Sequence, residues 1–216
     1  MKKTKSFILS MLLALPLLLS AQQTVHIGDI LCTDGSTVTP NDFNSSGKTA
    51  MGVVFFVDDS GEHGWAVHLD VQSYDINWVS PTYYDYGYDI PNVPNCEYSI
   101  DAMNDLDGYG NTFEIRQAHG ADWYPAAWAV DFDNGWYLPA AGQLRWLMAY
   151  SYEVNETLQQ IGATEFVYGT PSWFWTSTER GTHHAYVVSR NGSTANYMKY
   201  NYQNTSTIGV RAIRDF

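Results

Sequence analysis

Apolar positions along this chain gather into a few dense runs separated by long polar and aromatic stretches, and the spacing within the runs alternates between strand and helix periods. Met51 to Val57 is a continuous apolar run of strand length; Asp58, Asp59, Ser60 and Gly61 then turn the chain, and Trp65 to Leu69 returns. This pattern predicts a hairpin near the centre of a sheet. Asn134-Gly135-Trp136-Tyr137-Leu138-Pro139 is too apolar for a surface loop and leads into Leu144, Leu147 and Met148 at helical spacing. With Pro139 at a first helical position, where its missing amide costs nothing, a helix is predicted from Pro139 to Tyr150. Val154, Leu158 and Ile161 then mark a second helix that Gly162 closes. Trp173 to Glu179 reads as a buried strand, Ala185–Arg190 and Ser193–Tyr200 as a hairpin around Asn191-Gly192, and Gly209–Arg214 as a last strand closing the sheet. Helices in the middle and strands at both ends predict an α+β fold with its terminal strands paired.

Between these elements the pattern is weaker. Val25–Leu31 predicts a short strand, and Thr37–Lys48, with Pro40, Asn41, Asn44 and Gly47, a polar loop. From Gln72 to Ser99 neither period survives. Tyr74, Trp78, Tyr83, Tyr84, Tyr86 and Tyr88 interleave there with Asp75, Asp85 and Asp89 and with Pro81, Pro91 and Pro94. Irregular segments of this length tend to be functional. Two readings stay open: rings that cover the edge of the core, or a ligand platform of aromatic faces and carboxylates. Asp101–Asn111 is rich in oxygen ligands, which makes Asp105 and Asp107 candidates for calcium. Counting from Asp105, the glycine of a calcium loop falls correctly at Gly110, but Arg116 stands where the bidentate Glu is needed. The competing reading is a turn at Asp107-Gly108 and a helix capped by Asn111 or Thr112 that runs toward Gln117, followed by a helical turn over Pro125–Val130.

Charge and targeting narrow the class. Lys2, Lys3 and Lys5, the apolar run Phe7–Leu19 and Ser20-Ala21 read as a signal peptide over residues 1–21, so residues 22–216 are expected to be exported as a single domain to the periplasm, the cell surface or the medium. No later apolar run reaches transmembrane length, so membrane insertion of the mature chain is not expected. Three of the 11 basic residues lie in the signal, which leaves eight against 23 acidic ones, a charge of −15. Such a surface repels phosphate backbones and anionic lipid, which disfavours nucleic-acid partners. The 16 Tyr and 8 Trp supply a large core and leave some rings exposed. Cys32 and Cys96 are the only cysteines; a disulfide between them and two separate buried thiols are both open, and neither has the basic neighbours of a nucleophile.

Six pieces in this order resemble one known family. They are Gly52-Val53-Val54-Phe55-Phe56-Val57-Asp58, Gly135-Trp136-Tyr137-Leu138-Pro139-Ala140-Ala141-Gly142-Gln143-Leu144, Val154-Asn155 with Leu158 and Ile161-Gly162, Trp175-Thr176-Ser177-Thr178-Glu179, Ala185-Tyr186, and Val210-Arg211-Ala212-Ile213-Arg214. The set is similar to an exported bacterial family related to the C-terminal domain of collagen-like adhesins, and it spans essentially the whole mature chain. That family belongs with the C-type-lectin-like folds, alongside formylglycine-generating enzymes and major paralogous surface proteins. The resemblance implies a C-type-lectin-like domain with two main helices packed on antiparallel sheets and long irregular loops, and a role in adhesion or glycan binding. The chain departs from the calcium-dependent lectins: it has no Glu-Pro-Asn or Gln-Pro-Asp triplet and no Trp-Asn-Asp run. It also lacks cysteines after Cys96, on which formylglycine-generating enzymes depend, and a basic patch for sulfated glycans.

Catalytic motifs are missing: no His-Glu-x-x-His, Gly-x-Ser-x-Gly, phosphate-binding glycine loop or Cys-x-x-Cys occurs. His183-His184 cannot converge on one ion if both lie in a strand, because adjacent side chains point to opposite faces. Glu179 could be half of a glycosidase carboxylate pair, but nothing in the sequence nominates its partner. The expectation is therefore a non-enzyme without cofactor, calcium excepted, that binds a neutral or amino-sugar glycan or a surface protein. An assembly subunit of a surface structure is the alternative, and a hydrolase the third reading. Candidate ligand residues are Trp78, Tyr83, Tyr84 and Tyr86 in the irregular segment, and Tyr197, Tyr200, Asn201, Tyr202 and Asn204 near the last hairpin.

Overall fold

A computed structural model describes residues 24–83, 89–166, 171–200 and 207–216. Within them nine strands form two sheets. The first has five strands in the order β2-β1-β3-β4-β9 and holds β1 (Ile30–Cys32), β2 (Thr37–Val38), β3 (Ala50–Val57), β4 (Gly64–His68) and β9 (Ile213–Asp215), all antiparallel. The expected hairpin is β3–β4, at the centre of this sheet. The second sheet, β7-β6-β5-β8, contains β5 (Trp173–Gly181), β6 (His184–Ser189), β7 (Thr194–Met198) and β8 (Ile208–Gly209). Its β5–β6–β7 ladder is antiparallel, and β8 joins β5 in parallel. With six α-helices among the described residues the architecture is mixed α+β.

Several predicted boundaries move, each for a local reason. Thr37–Lys48 is not all loop: after β2 it forms α1 (Pro40–Ser46), capped by the Thr39 hydroxyl and ended by Gly47 in the left-handed region at φ 66°. Its cap, proline and glycine were all visible, but α1 buries no residue, so no apolar stripe announced it. The first strand is three residues, Ile30–Cys32, because the chain before it turns at 27–28. Pro139 does not begin a helix. It precedes the Ala140 cap of α5 (Ala141–Ala149), and its carbonyl accepts the Ser177 amide at 2.8 Å. Asp107, not Asn111 or Thr112, caps α3 (Gly108–Ala118); its carboxylate accepts the Gly110 amide at 2.8 Å, while Asn111 and Thr112 are buried inside the helix. Finally, Gly209–Arg214 is not one strand. It leaves the second sheet at β8, crosses at the buried Arg211 and enters the first sheet as β9, so one segment ties both sheets together.

Alternation along β5 and β6 divides the core. Phe174, Tyr186 and Val188 face one cluster with Val53, Phe55 and the apolar faces of α5 and α6 (Ser151–Gln160), which supply Leu144, Leu147, Val154 and Leu158. Trp175, Ala185 and Val187 face a second cluster that lies under the irregular segment, with Trp78, Ile90, Ile115, Trp136 and Val210. Thus the irregular segment is a lid over half of the core. Its described part is held by the buried Trp78 and by single hydrogen bonds and bridges to the second sheet rather than by a continuous ladder. Of two short helices, α4 (Pro125–Trp128) adds Ala126 and Ala127 to this second cluster, while α2 (Ser99–Ala102) adds Ala102 to the first.

Trp175 is fully buried, and its indole N–H donates to the Ile76 carbonyl at 2.7 Å. Replacing it by Ala should cost about 3–5 kcal/mol in urea unfolding followed by circular dichroism. A single cooperative transition is expected in both proteins; two separable transitions in the wild type would contradict a single domain.

Candidate functional site

A run of four polar residues, Thr176 to Glu179, is fully buried on β5, and it decides where the surrounding segments go. Three residues of β5 lie between the pairs Trp175↔Val187 and Glu179↔Ala185, against one of β6, so β5 bulges off the ladder here. The released groups find other partners. Ser177 donates its amide to Pro139, and the Thr178 hydroxyl donates to Asp105 at 2.6 Å while accepting the Ala141 amide at 2.9 Å. The Thr176 carbonyl accepts the Trp78 indole N–H at 2.9 Å.

Glu179 ends the run. One carboxylate oxygen accepts the Ile90 amide at 3.1 Å and the other is bonded by the Lys199 ammonium, itself buried and 4.6 Å from the centre of the Trp78 ring. Backbone bonds repeat the connection: Cys96 donates to the Glu179 carbonyl at 2.9 Å and Val79 to the Lys199 carbonyl at 2.8 Å. Both described halves of the irregular segment are therefore anchored on this ion pair. Burial pushes the Glu179 carboxyl up to about 7, against the pull of Lys199, and the same burial pulls the Lys199 ammonium below its ordinary value.

The anchored segment walls a cleft of about 570 Å³ between its 75–83 stretch and residues 121–125. Asp75, Asn77, Ser80, Thr82 and Asp122 line it with oxygen and amide groups, and Tyr83 supplies a ring. Tyr83 stacks on Trp123 at 4.1 Å and 8°, and Trp123 on His119 at 4.0 Å and 14°, which makes a rigid three-ring pile. Ser80 donates its amide to Trp123 at 2.8 Å and accepts that of Tyr83 at 3.0 Å, so the turn bearing Tyr83 is pinned to the opposite wall. Among the described residues the ion pairs are His26–Asp29, Lys48–Asp34 and Lys199–Glu179, so neither Asp75 nor Asp122 meets a cation of the protein.

Of the ligand candidates read from the sequence, Tyr83 lines this cleft. Trp78 does not: it is 1% exposed, and its indole and ring are occupied by Thr176, Lys199 and an edge contact with Tyr124, so it is a core residue. Tyr197 is half-buried against Trp173 at 5.6 Å, and Tyr200 is also half-buried; neither lines the cleft, although the two segments meet at the Val79–Lys199 bond. Tyr84, Tyr86, Asn201, Tyr202 and Asn204 lie outside the described residues, as do residues 1–21, over which a signal peptide is expected. Asp105 and Asp107 are taken up by internal bonds, Asp105 to Thr178, Asn111 and the Asp107 amide, and Asp107 as the α3 cap. No group of three metal-ligating side chains occurs among the described residues. Cys32 and Cys96 are separate buried thiols in different core clusters, each pushed up by burial, Cys96 to about 11. Lys199, Trp123 and Asp122 escaped the sequence reading because nothing local distinguishes them. Their roles come from partners far along the chain.

Neither a family model nor a curated protein matches the chain. Its fold is similar to that in the crystal structure of a fimbrial protein from Bacteroides ovatus, with a TM-score of 0.64 and 18% identity over 89% of this chain and 49% of that one. The chain thus spans about half the length of that protein. Among the described residues no helix is long and apolar enough to cross a membrane.

Removing one member of a buried ion pair strands the other charge. Lys199→Met should cost about 3–5 kcal/mol in urea unfolding, and the double variant Glu179→Gln/Lys199→Met should recover most of that loss. Recovery of none of it would mean that Lys199 acts through packing alone.

Proposed function

We propose that this chain is an exported, non-catalytic domain that works at the cell surface by binding, with the Tyr83 cleft as its ligand site. The observation that carries this reading is the composition of that cleft: a rigid stacked ring beside the uncompensated carboxylates Asp75 and Asp122 and the polar groups of Asn77, Ser80 and Thr82. A ring offers a flat apolar face to the C–H surface of a pyranose, and oxygen and amide groups take its hydroxyls. Carboxylates without a cation favour a neutral or amino sugar over a sulfated one. A segment held on a rigid sheet by buried bonds is suited to recognition. The non-catalytic reading draws on Glu179, the carboxylate raised furthest among the described residues, which is sealed under Ile90, Lys199 and Trp78 and out of reach of a glycosidic bond. Two helices packed against residues of both sheets, and a long irregular segment laid over the opposite face of the second sheet, support a C-type-lectin-like form of the α+β fold.

The likeness to a fimbrial protein favours a second reading, a subunit that assembles into a surface structure. The two separate in solution: sedimentation at rising concentration reports self-association, and an array of neutral, amino and sulfated glycans reports ligand class. On the array, neutral or amino-sugar glycans should bind, and Tyr83→Ala and Asp122→Asn should each weaken binding about tenfold, the scale of one stacking or charge-assisted contact. Unchanged binding in both variants would remove the cleft from consideration, and self-association without glycan binding would promote the assembly reading.

A further inference from the structure

Where α5 hands over to α6, the Asn191-Gly192 turn between β6 and β7 meets the helices and a pocket of about 320 Å³ opens. Among the described residues its walls are Ser151, Tyr152 and Asn155 of α6, Phe166, and Arg190 with Asn191, none of which lines the Tyr83 cleft. Arg190 sets its chemistry. Its Nε donates to the Pro171 carbonyl at 2.8 Å, while its Nη1 is buried with no hydrogen-bond partner. A guanidinium stays charged near neutrality, so a buried and unpaired edge calls for an acceptor. The fold supplies no carboxylate for it: among the described residues the ion pairs are His26–Asp29, Lys48–Asp34 and Lys199–Glu179. A second guanidinium stands behind the Phe166 wall. Arg211 lies 4.5 Å from the centre of that ring, its own Nη1 is buried without a partner, and it is close enough to Arg190 for the two charges to repel. Asp70 offsets part of the Arg211 charge but is not among the groups that stabilise the charge of Arg190. Finally, Ser151 and Tyr152 open α6, whose first turn has no side-chain cap, so its leading amides and helix dipole add positive potential at the same place.

We propose that this pocket is a second ligand site, which takes a single carboxylate on the Arg190 guanidinium and packs a body no larger than a monosaccharide against the Phe166 and Tyr152 rings. The remaining walls are fixed in advance. The Asn155 side chain brackets Phe166, accepting its amide at 2.7 Å and donating to its carbonyl at 3.3 Å, and the Tyr152 hydroxyl is bonded to Glu156. Ser151 donates to the Met148 carbonyl at 2.8 Å, which leaves its oxygen able to accept from a ligand hydroxyl. Asn191 spends its oxygen on Ser189 and on the Ser193 amide at 3.1 Å, which leaves its amide nitrogen able to donate. Three features select a carboxylate over other anions. Its plane and two oxygens match the fork of a guanidinium. The chain carries 23 acidic against 11 basic residues, and Glu153 and Glu156 stand beside Tyr152, so a doubly charged phosphate is repelled more than a single carboxylate. The volume, at the small end of ligand pockets, suits one compact body rather than a chain. This site goes beyond the Tyr83 cleft and does not rest on it, and its preference for an acid is opposite to that of the cleft.

Amide chemical shifts of the isotope-labelled protein, titrated with glucuronate, phenylacetate, glucose and inorganic phosphate, test it. The two acids carry one carboxylate on a hydroxylated and on an apolar body, so the tighter of them names the kind of molecule the pocket takes. At least one should shift the amides of Ser151, Tyr152, Asn155 and Asn191 and leave those of Tyr83 and Trp123 in place. Glucose, which lacks the charge, should bind at least about tenfold more weakly than the better acid, the scale of one charge-assisted hydrogen bond. Arg190→Met should weaken the better acid by a similar factor, and Arg190→Lys, which keeps the charge but not the fork, by less. Tyr83→Ala should leave acid binding unchanged, so this site and the Tyr83 cleft stand or fall separately. The proposal is overturned if neither acid shifts these amides, if glucose or phosphate binds as tightly as the better acid, or if Arg190→Met binds it as well as the wild type does. Should Arg190→Met not fold, the wild-type ranking of acids, glucose and phosphate, together with the position of the shifted amides, decides.

Discussion

Four polar side chains in a row on a strand with no access to water are the constraint from which the rest of this fold follows. An unpaired buried polar group costs a large part of a hydrogen bond, and a buried charge more. Thr176, Ser177, Thr178 and Glu179 could not be satisfied by the β5–β6 ladder alone, and the bulge in β5 turns their groups toward other segments. Each group then captures a different piece of chain: Trp78, Pro139, the start of α5 with Asp105, and the Ile90 and Cys96 amides with Lys199. The helix entry is completed by Gln143, whose carbonyl accepts the Gly108 and Ala140 amides at 3.1 and 3.0 Å and whose amide donates to the Tyr137 hydroxyl. Gly142 lets α5 come this close, since a Cβ there would lie 2.6 Å from the Met103 and Asp105 carbonyls.

Arg211 plays the matching part where the C-terminal segment changes sheets. Its guanidinium donates to the carbonyls of His68, Leu69 and Thr164 and lies 4.5 Å from the centre of the Phe166 ring. Burial pulls it down to about 10. Polar groups thus specify the crossing points between layers, while apolar area supplies most of the driving force. The candidate cleft lies at the margin of that arrangement. The cleft is walled by a segment that makes only single bridges to the second sheet, Ser73 to Val210 and Asn95 to Glu179, and whose described part is further anchored at Trp78, Val79, Ile90 and Cys96.

Much of the framework was legible. Met51–Val57 and Trp65–Leu69, the apolar faces of α5 and α6, the Trp173–Glu179 strand and the Asn191-Gly192 hairpin have strong local patterns that the structure retains. The irregular segment was legible as irregular, and Tyr83 as one of its rings. What was not legible has one cause: it depends on contacts between residues far apart in the chain. Nothing around Lys199 marks it as the partner of Glu179, and nothing around Trp123 marks it as the base on which Tyr83 rests. Trp78 looked like its neighbouring tyrosines, yet it is buried because Thr176 and Lys199 come to it from the second sheet. α1 had its cap signals but no apolar face, and periodicity cannot see a helix that packs nothing.

By itself the sequence determined an α+β fold, an acidic and aromatic-rich chain, the central hairpin, the two core helices and the position of the long irregular segment, because burial period and turn chemistry are local properties of the chain. Only the tertiary structure decided which polar residues are buried, that Gly209–Arg214 divides between two sheets, and which of many similar aromatic residues face a cleft. Those outcomes depend on hydrogen bonds and charge pairs closed across the fold, and a buried polar group is stable only once its distant partner has arrived.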